Sequence, residues 1–203
     1  MQSILFKLVF IFCFVSSPVV LAKTILVYGD SLSAAYGISE EEGWVALLQK
    51  EIGDEHTLVN ASISGETSSG GLSRLTLTLD ELKPDLVLLE LGANDGLRGG
   101  SVSLLQANLD LMLNAIKSRN IKVVLIGISV PPSYGPRYVD AFRAVYRNLA
   151  EQHKVPFIDF YREDFFIKEG YIQADGLHPT AIAQPIVTEL MLDFLIKENL
   201  LEQ

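Results

Sequence analysis

Five short, mostly apolar runs alternate along this chain with segments whose apolar residues recur at helical spacing. The runs are TILVYG at 24–29, HTLVNA at 56–61, DLVLLELG at 85–92, KVVLIGIS at 122–129 and PFIDF at 156–160. A strand with one face in water alternates apolar and polar residues. These runs are too uniformly apolar for that, so both of their faces need cover. The intervening segments supply it. In GWVALLQKEI at 43–52, Trp44, Leu47, Leu48 and Ile52 share one helical face. LSRLTLTLDEL at 72–82, SLLQANLDLMLNAIKSR at 103–119 and YVDAFRAVYRNLAEQH at 138–153 read the same way, and a last helix is predicted from about residue 179 to 199. The pattern predicts one α/β domain around a parallel sheet covered on both faces. It contains no internal repeat, low-complexity tract or linker.

The first 22 residues stand apart from this rhythm. A short start carrying Lys7 precedes the nearly uncharged run LVFIFCFVSSPVVLA, which ends at Ala22. That is the layout of a cleaved secretory signal, with 1–22 removed and 23–203 left as the single domain. The run is shorter than the roughly 20 residues a spanning helix needs, and Pro18 interrupts it. Phe12 before Cys13 disfavours a lipid anchor there. Cleavage removes the sole cysteine, so the expected mature chain has no disulfide and no thiolate chemistry. It also removes Lys7, moving the net charge from −9 to −10. An acidic chain without basic clusters is a poor partner for nucleic acid and gains nothing from anionic membranes. A periplasmic or secreted protein with no stable membrane anchor and no obligate protein partner is the expectation.

Ligands of such sheets sit beyond the carboxyl ends of the strands, so the residues there carry the functional signal. Gly29-Asp30-Ser31 follows the first run, NASISGETSSGG with Gly65 the second, and GAND at 92–95 the third; ADGLHP at 174–179 precedes the last helix. Asp30 and Ser31 alone read as turn residues that cap a helix. His178 alters the balance, because Asp175 three residues earlier can reach its Nδ1–H and leave Nε2 as a base. A serine hydroxyl needs such a base. Asn94 can present an amide donor, and Gly65 lets the main chain approach a substrate. The bland alternative makes His178-Pro179 the start of the last helix, with Asp175 helping to cap it. His56 and His153 read as structural or surface residues, and Asp30 and Asp95 as residues that fix loops.

These four blocks, in this order and spacing, resemble the SGNH or GDSL hydrolases over essentially the whole chain after residue 22. NASISGETS, ELGANDGLRG and PPSYGPRY look closest to the bacterial periplasmic multifunctional esterase branch that includes thioesterase I, lysophospholipase and arylesterase. The resemblance implies a three-layer α/β/α sandwich, flavodoxin-like, with a five-stranded parallel sheet. It implies Ser31 as nucleophile, His178 as general base and acid, and Asp175 as its orienting partner. The Ser31 N–H, the Gly65 N–H and the Asn94 side chain would form the oxyanion hole. Leu97, Tyr134, Pro136 and Tyr138 are candidates for an apolar acyl groove. The expected substrates are small-molecule acyl esters and thioesters, namely acyl-CoA thioesters, lysophospholipids and aryl esters, with no cofactor and no metal.

Three other readings stand beside this one. A carbohydrate deacetylase would use the same triad. A metal-dependent hydrolase would use Asp30, Asp175 and His178, but histidines are few and no HExxH-type motif occurs. A non-catalytic acyl-binding module on the same fold would leave the four blocks unexplained.

Overall fold

The computed structural model describes residues 22–160 and 168–202. The predicted signal at 1–22 lies outside them, apart from its last residue. Five strands form one sheet: β1 (Lys23–Gly29), β2 (His56–Asn60), β3 (Leu86–Glu90), β4 (Lys122–Gly127) and β5 (Phe157–Asp159). Their spatial order is β2-β1-β3-β4-β5, and every pairing is parallel. The chain winds outward one way from β1 to β2 and the other way from β3 to β5. The junction between β1 and β3 is thus the point where a crevice opens beyond the strand ends.

Among the described residues six α-helices flank the sheet: α1 (Trp44–Ile52), α2 (Ser68–Leu82), α3 (Ala93–Leu97), α4 (Val102–Lys117), α5 (Pro136–His153) and α6 (Gln184–Lys197). Helices α1 and α6 pack together, while α2, α4 and α5 adjoin one another in series. These two groups give the sheet its two covers. Val87, Leu88 and Leu89 are completely buried in succession, as a strand covered on both faces requires. Trp44, Tyr28, Tyr146 and Phe142 are the largest side chains sealed in the same core.

Several element boundaries differ from the sequence reading. Helix α2 begins at Ser68 and absorbs SSGG, which reads as loop in sequence. Thr67 Oγ1 accepts the Gly70 N–H, and Asp95, from a separate element, accepts both the Ser68 N–H and its hydroxyl. These bonds satisfy the free donors of the first turn and offset the glycine cost. Helix α6 begins at Gln184 instead of Pro179. Pro179 forms an isolated antiparallel bridge with Ile172, and Gln173 N–H donates to the His178 carbonyl at 2.8 Å. Asp175 therefore caps a turn and not this helix. On α1, Trp44, Leu48 and Ile52 are buried as expected and Val45 joins them, whereas Leu47, expected on that face, is only half-buried.

The other two histidines are structural. His56 Nδ1 accepts the Lys23 N–H at 3.2 Å, and His153 Nε2 lies 2.7 Å from Asp110 Oδ1, clipping α5 to α4. Leu88, at the middle of the central strand, tests how far the sheet depends on close packing. Leu88→Ala is expected to lower the unfolding free energy by about 2–5 kcal/mol in urea titrations.

Candidate active site

β1 stops where its backbone must pass a neighbour. A Cβ on Gly29 would lie 2.6 Å from Glu90 Oε2 and 2.9 Å from the Glu90 carbonyl, so only glycine fits. The chain then turns on itself: Asp30 Oδ1 accepts the Leu32 N–H at 3.2 Å, and Ala34 N–H donates to the Asp30 carbonyl at 3.0 Å. The sequence predicts a helix entered directly after Ser31. The structure has consecutive turns there, with the chain next entering a short 3-10 segment at Glu40–Glu42. Ser31 sits on the first of these turns, beyond the end of β1.

His178 reaches Ser31 from 147 residues away. Its Nε2 lies 2.8 Å from Ser31 Oγ, and its Nδ1 lies 2.7 Å from Asp175 Oδ2. The second carboxylate oxygen accepts the Leu177 and His178 N–H groups at 2.9 and 3.0 Å, which locks the turn. Burial pushes the Asp175 carboxyl up. The bonds from the His178 ring and from the two backbone N–H groups outweigh it and hold the group below the usual carboxylate range. An ionised Asp175 keeps the imidazole proton on Nδ1, which leaves Nε2 free to accept from the serine.

Asn94 belongs to α3, directly beyond β3. Its Nδ2 donates to the Glu66 carbonyl at 2.9 Å, next to Gly65, and approaches Asp30 Oδ2 at 3.4 Å, next to Ser31. The amide is therefore tied to both loops that carry the other expected oxyanion donors. Gly65 holds φ at +82°, a conformation that favours glycine. Arg98 donates to its carbonyl at 3.1 Å. Asp95 turns away to α2, and Asn108 of α4 donates to Ser68 Oγ at 2.9 Å, so α2, α3 and α4 share one polar knot.

A cavity of about 630 Å³ opens beside Ser31 and His178. Leu32, Leu97, Val130, Pro131, Val139 and Ile172 give it a largely apolar wall. Of the residues expected to line an acyl groove, Leu97 is in this wall, whereas Tyr134, Pro136 and Tyr138 are not. Tyr134 and Tyr138 instead donate their hydroxyls to the Leu97 and Gly100 carbonyls at 2.6 and 2.9 Å, bracing the loop that carries Leu97. Asp30 engages Asn94 and Glu90, apart from Asp175 and His178. Among the described residues no group of three or more His, Cys, Asp or Glu side chains could hold a metal ion.

Residues 27–184 match the model of the GDSL-like lipase/acylhydrolase family. The chain belongs to that family. The esterase TesA of Pseudomonas aeruginosa is 51% identical over 171 residues, covering 83% of this chain and 85% of that protein. A protein of Escherichia coli K12 named thioesterase 1/protease 1/lysophospholipase L1 is 42% identical over 170 residues, covering 84% and 82%. The crystal structure of the psychrotrophic esterase EstA from Pseudoalteromonas, inhibited by monoethylphosphonate, superposes with a TM-score of 0.81 at 44% identity. That match covers 86% of this chain and 97% of EstA. This acylhydrolase is an enzyme acting on ester bonds.

Two features of this acylhydrolase gave no signal in the sequence. One is the ring of Tyr36, which lies against His178 with centroids 4.5 Å apart. The other is a buried carboxyl pair. Asp30 and Glu90 are both fully enclosed. Glu90 Oε2 accepts the Ser33 hydroxyl at 2.8 Å and the Asp30 N–H at 3.3 Å. Burial pushes Asp30 up to about 7, against N–H donors from Leu32, Asn94 and Ala93 that pull it down. Burial and the adjacent Asp30 charge push Glu90 well up. The Asp95 carboxylate and the sealed Tyr146 hydroxyl face the same pocket of charge.

An unfolded chain releases these protons near pH 4, but the folded one holds that of Asp30 to about 7 and that of Glu90 well above its ordinary range. The folded state therefore binds more protons across that window, and stability falls as pH rises through it. The melting temperature is expected to drop between pH 5 and pH 8. Glu90→Gln, which keeps the shape but cannot ionise, should make that drop shallower. Thermal unfolding at a series of pH values checks this, and an unchanged slope would contradict the shared charge.

Proposed function

We propose that this acylhydrolase is a serine esterase and thioesterase that works through an acyl-enzyme on Ser31. The observation that carries this reading is the continuous relay from Asp175 through His178 to Ser31, with contacts of 2.7 and 2.8 Å. In acylation, Ser31 Oγ attacks the acyl carbon as His178 Nε2 takes its proton. His178 then gives that proton to the departing alcohol or thiol. Water repeats the sequence on the acyl-enzyme and restores the serine. The Ser31 and Gly65 N–H groups and the Asn94 amide are the proposed donors to the tetrahedral oxyanion, and removing one such donor typically costs about 10²–10³ in kcat. Chemistry of this kind can proceed with side chains and water alone.

The apolar wall of the cavity suits the hydrocarbon of an acyl chain, which favours acyl esters and thioesters over the acetylated sugars of a carbohydrate deacetylase. The names of relatives support thioesters, lysophospholipids and aryl esters as the substrates to compare. Ser31→Ala should abolish both p-nitrophenyl ester hydrolysis and labelling by a fluorophosphonate. Asp175→Asn should lower kcat by about 10⁴, by analogy with loss of the histidine tautomer in other triads. A folded Ser31→Ala variant with full activity would overturn the assignment, and an unlabelled parent would favour the non-catalytic acyl-binding module.

The leader-like composition of residues 1–22 supports export with cleavage after Ala22, and hence a periplasmic or secreted enzyme. Among the described residues no helix is long and apolar enough to cross a membrane. Intact-mass measurement of the protein recovered from outside the cytoplasmic membrane should give a chain beginning at Lys23. A mass that still includes residues 1–22 would count against cleavage.

A further inference from the structure

Tyr36 is a half-exposed aromatic ring fixed at the centre of the site, and the steps described above leave it without a task. Its ring lies 4.5 Å from the His178 imidazole, centroid to centroid, with the planes 39° apart, and 51% of the residue is open to solvent. The local backbone is committed to placing it there. Ala35 adopts φ +55° and Gly37 φ +76°, conformations that L-residues enter only under constraint. Tyr36 N–H donates to the Ser31 carbonyl at 3.3 Å. Gln173 Nε2 donates to both the Tyr36 and the Pro179 carbonyls, at 2.8 and 2.9 Å, clamping the Tyr36 loop to the His178 turn. A Cβ on Gly37 would come within 2.3 Å of Gln173 Oε1, so the clamp requires the glycine.

The site is two-sided. His178 lines the acyl cavity with Leu32 and Leu97, whereas Tyr36 is outside that lining and touches His178. When the tetrahedral intermediate collapses, the bond from the acyl carbon to the alcohol oxygen breaks. The proton held on His178 Nε2 passes to that oxygen, which must lie within hydrogen-bond reach of the ring. Tyr36 touches that imidazole from outside the cavity lining, so it lies within reach of an alcohol portion that leads out past the ring. We propose that Tyr36 is the leaving-group platform of this enzyme, stacking the planar ring of an aryl or benzyl alcohol while the bond breaks. This rests on acyl transfer at Ser31 and assigns the aryl esters already expected a residue that selects them, because aromatic faces attract one another beyond the area they bury.

Benzyl butyrate and cyclohexylmethyl butyrate share an acyl group and release primary alcohols of similar size, and only the first alcohol is flat. Comparing kcat/KM on the two esters therefore isolates stacking, and this parameter reports steps through leaving-group departure. The benzyl-to-cyclohexylmethyl ratio is expected to fall about fivefold in Tyr36→Leu, in line with the usual strength of an aromatic pair, and to be kept in Tyr36→Phe. Equal losses on both esters would mean that the ring acts on His178 alone, and would overturn the platform. A parallel measurement needs no variant: benzyl alcohol should inhibit the parent more strongly than cyclohexylmethanol, and equal inhibition constants would also overturn it. A parent that hydrolyses neither ester would instead strike the acyl-transfer reading, and the platform with it.

Discussion

The last rung between β1 and β3 sets Gly29 opposite Glu90, and the candidate active site hangs on that pairing. The missing side chain at 29 admits the Glu90 carboxyl into the sheet edge, where it accepts from Asp30 and Ser33. Asp30 in turn orders the turn through Leu32 and approaches the Asn94 amide. One rung thus connects the serine-bearing turn to the helix that supplies the proposed oxyanion donor. Two carboxyls sealed together are costly to bury as charges, so the arrangement depends on keeping a proton between them.

Around this rung, the elements that present the working groups are bound to one another as well as to the sheet. Asp95, next to Asn94, holds the start of α2, and Asn108 of α4 joins the same knot. Gln173 bonds the loop after Ser31 to the strand-like stretch after His178. A displacement of one loop is therefore shared by its partner, which favours a constant Ser31–His178 distance over independent motion. Preorganisation of this kind is what electrostatic stabilisation of an oxyanion demands.

Much of this was legible in the sequence because parallel strands buried on both faces leave a long apolar imprint. DLVLLELG reads as a central strand, and Leu86 to Leu89 are almost wholly enclosed. Asp175 and His178 were legible as a pair because only a turn separates them. Boundaries governed by distant partners were not. Nothing local announces that Asp95 would start α2 at Ser68, or that Pro179 would bridge to Ile172 instead of opening α6. Glu90 read as one more strand residue, since its role depends on a glycine 61 positions earlier. Tyr36 and Tyr134 look alike in sequence as exposed loop aromatics; one meets His178 and the other braces the Leu97 loop.

The proposed triad also has an order in time. Ser31, Gly65 and Asn94 all precede β5, whereas Asp175 and His178 follow it, on a segment held by the Ile172–Pro179 bridge and the Gln173 clamp. A ribosome makes the proposed nucleophile first and the proposed base last. A chain that has emerged only as far as β5 carries a serine with nothing to take its proton, so it is chemically silent. On the proposed assignment, competence waits for that last segment to dock, wherever the chain folds, so the protein cannot attack esters before its fold is complete.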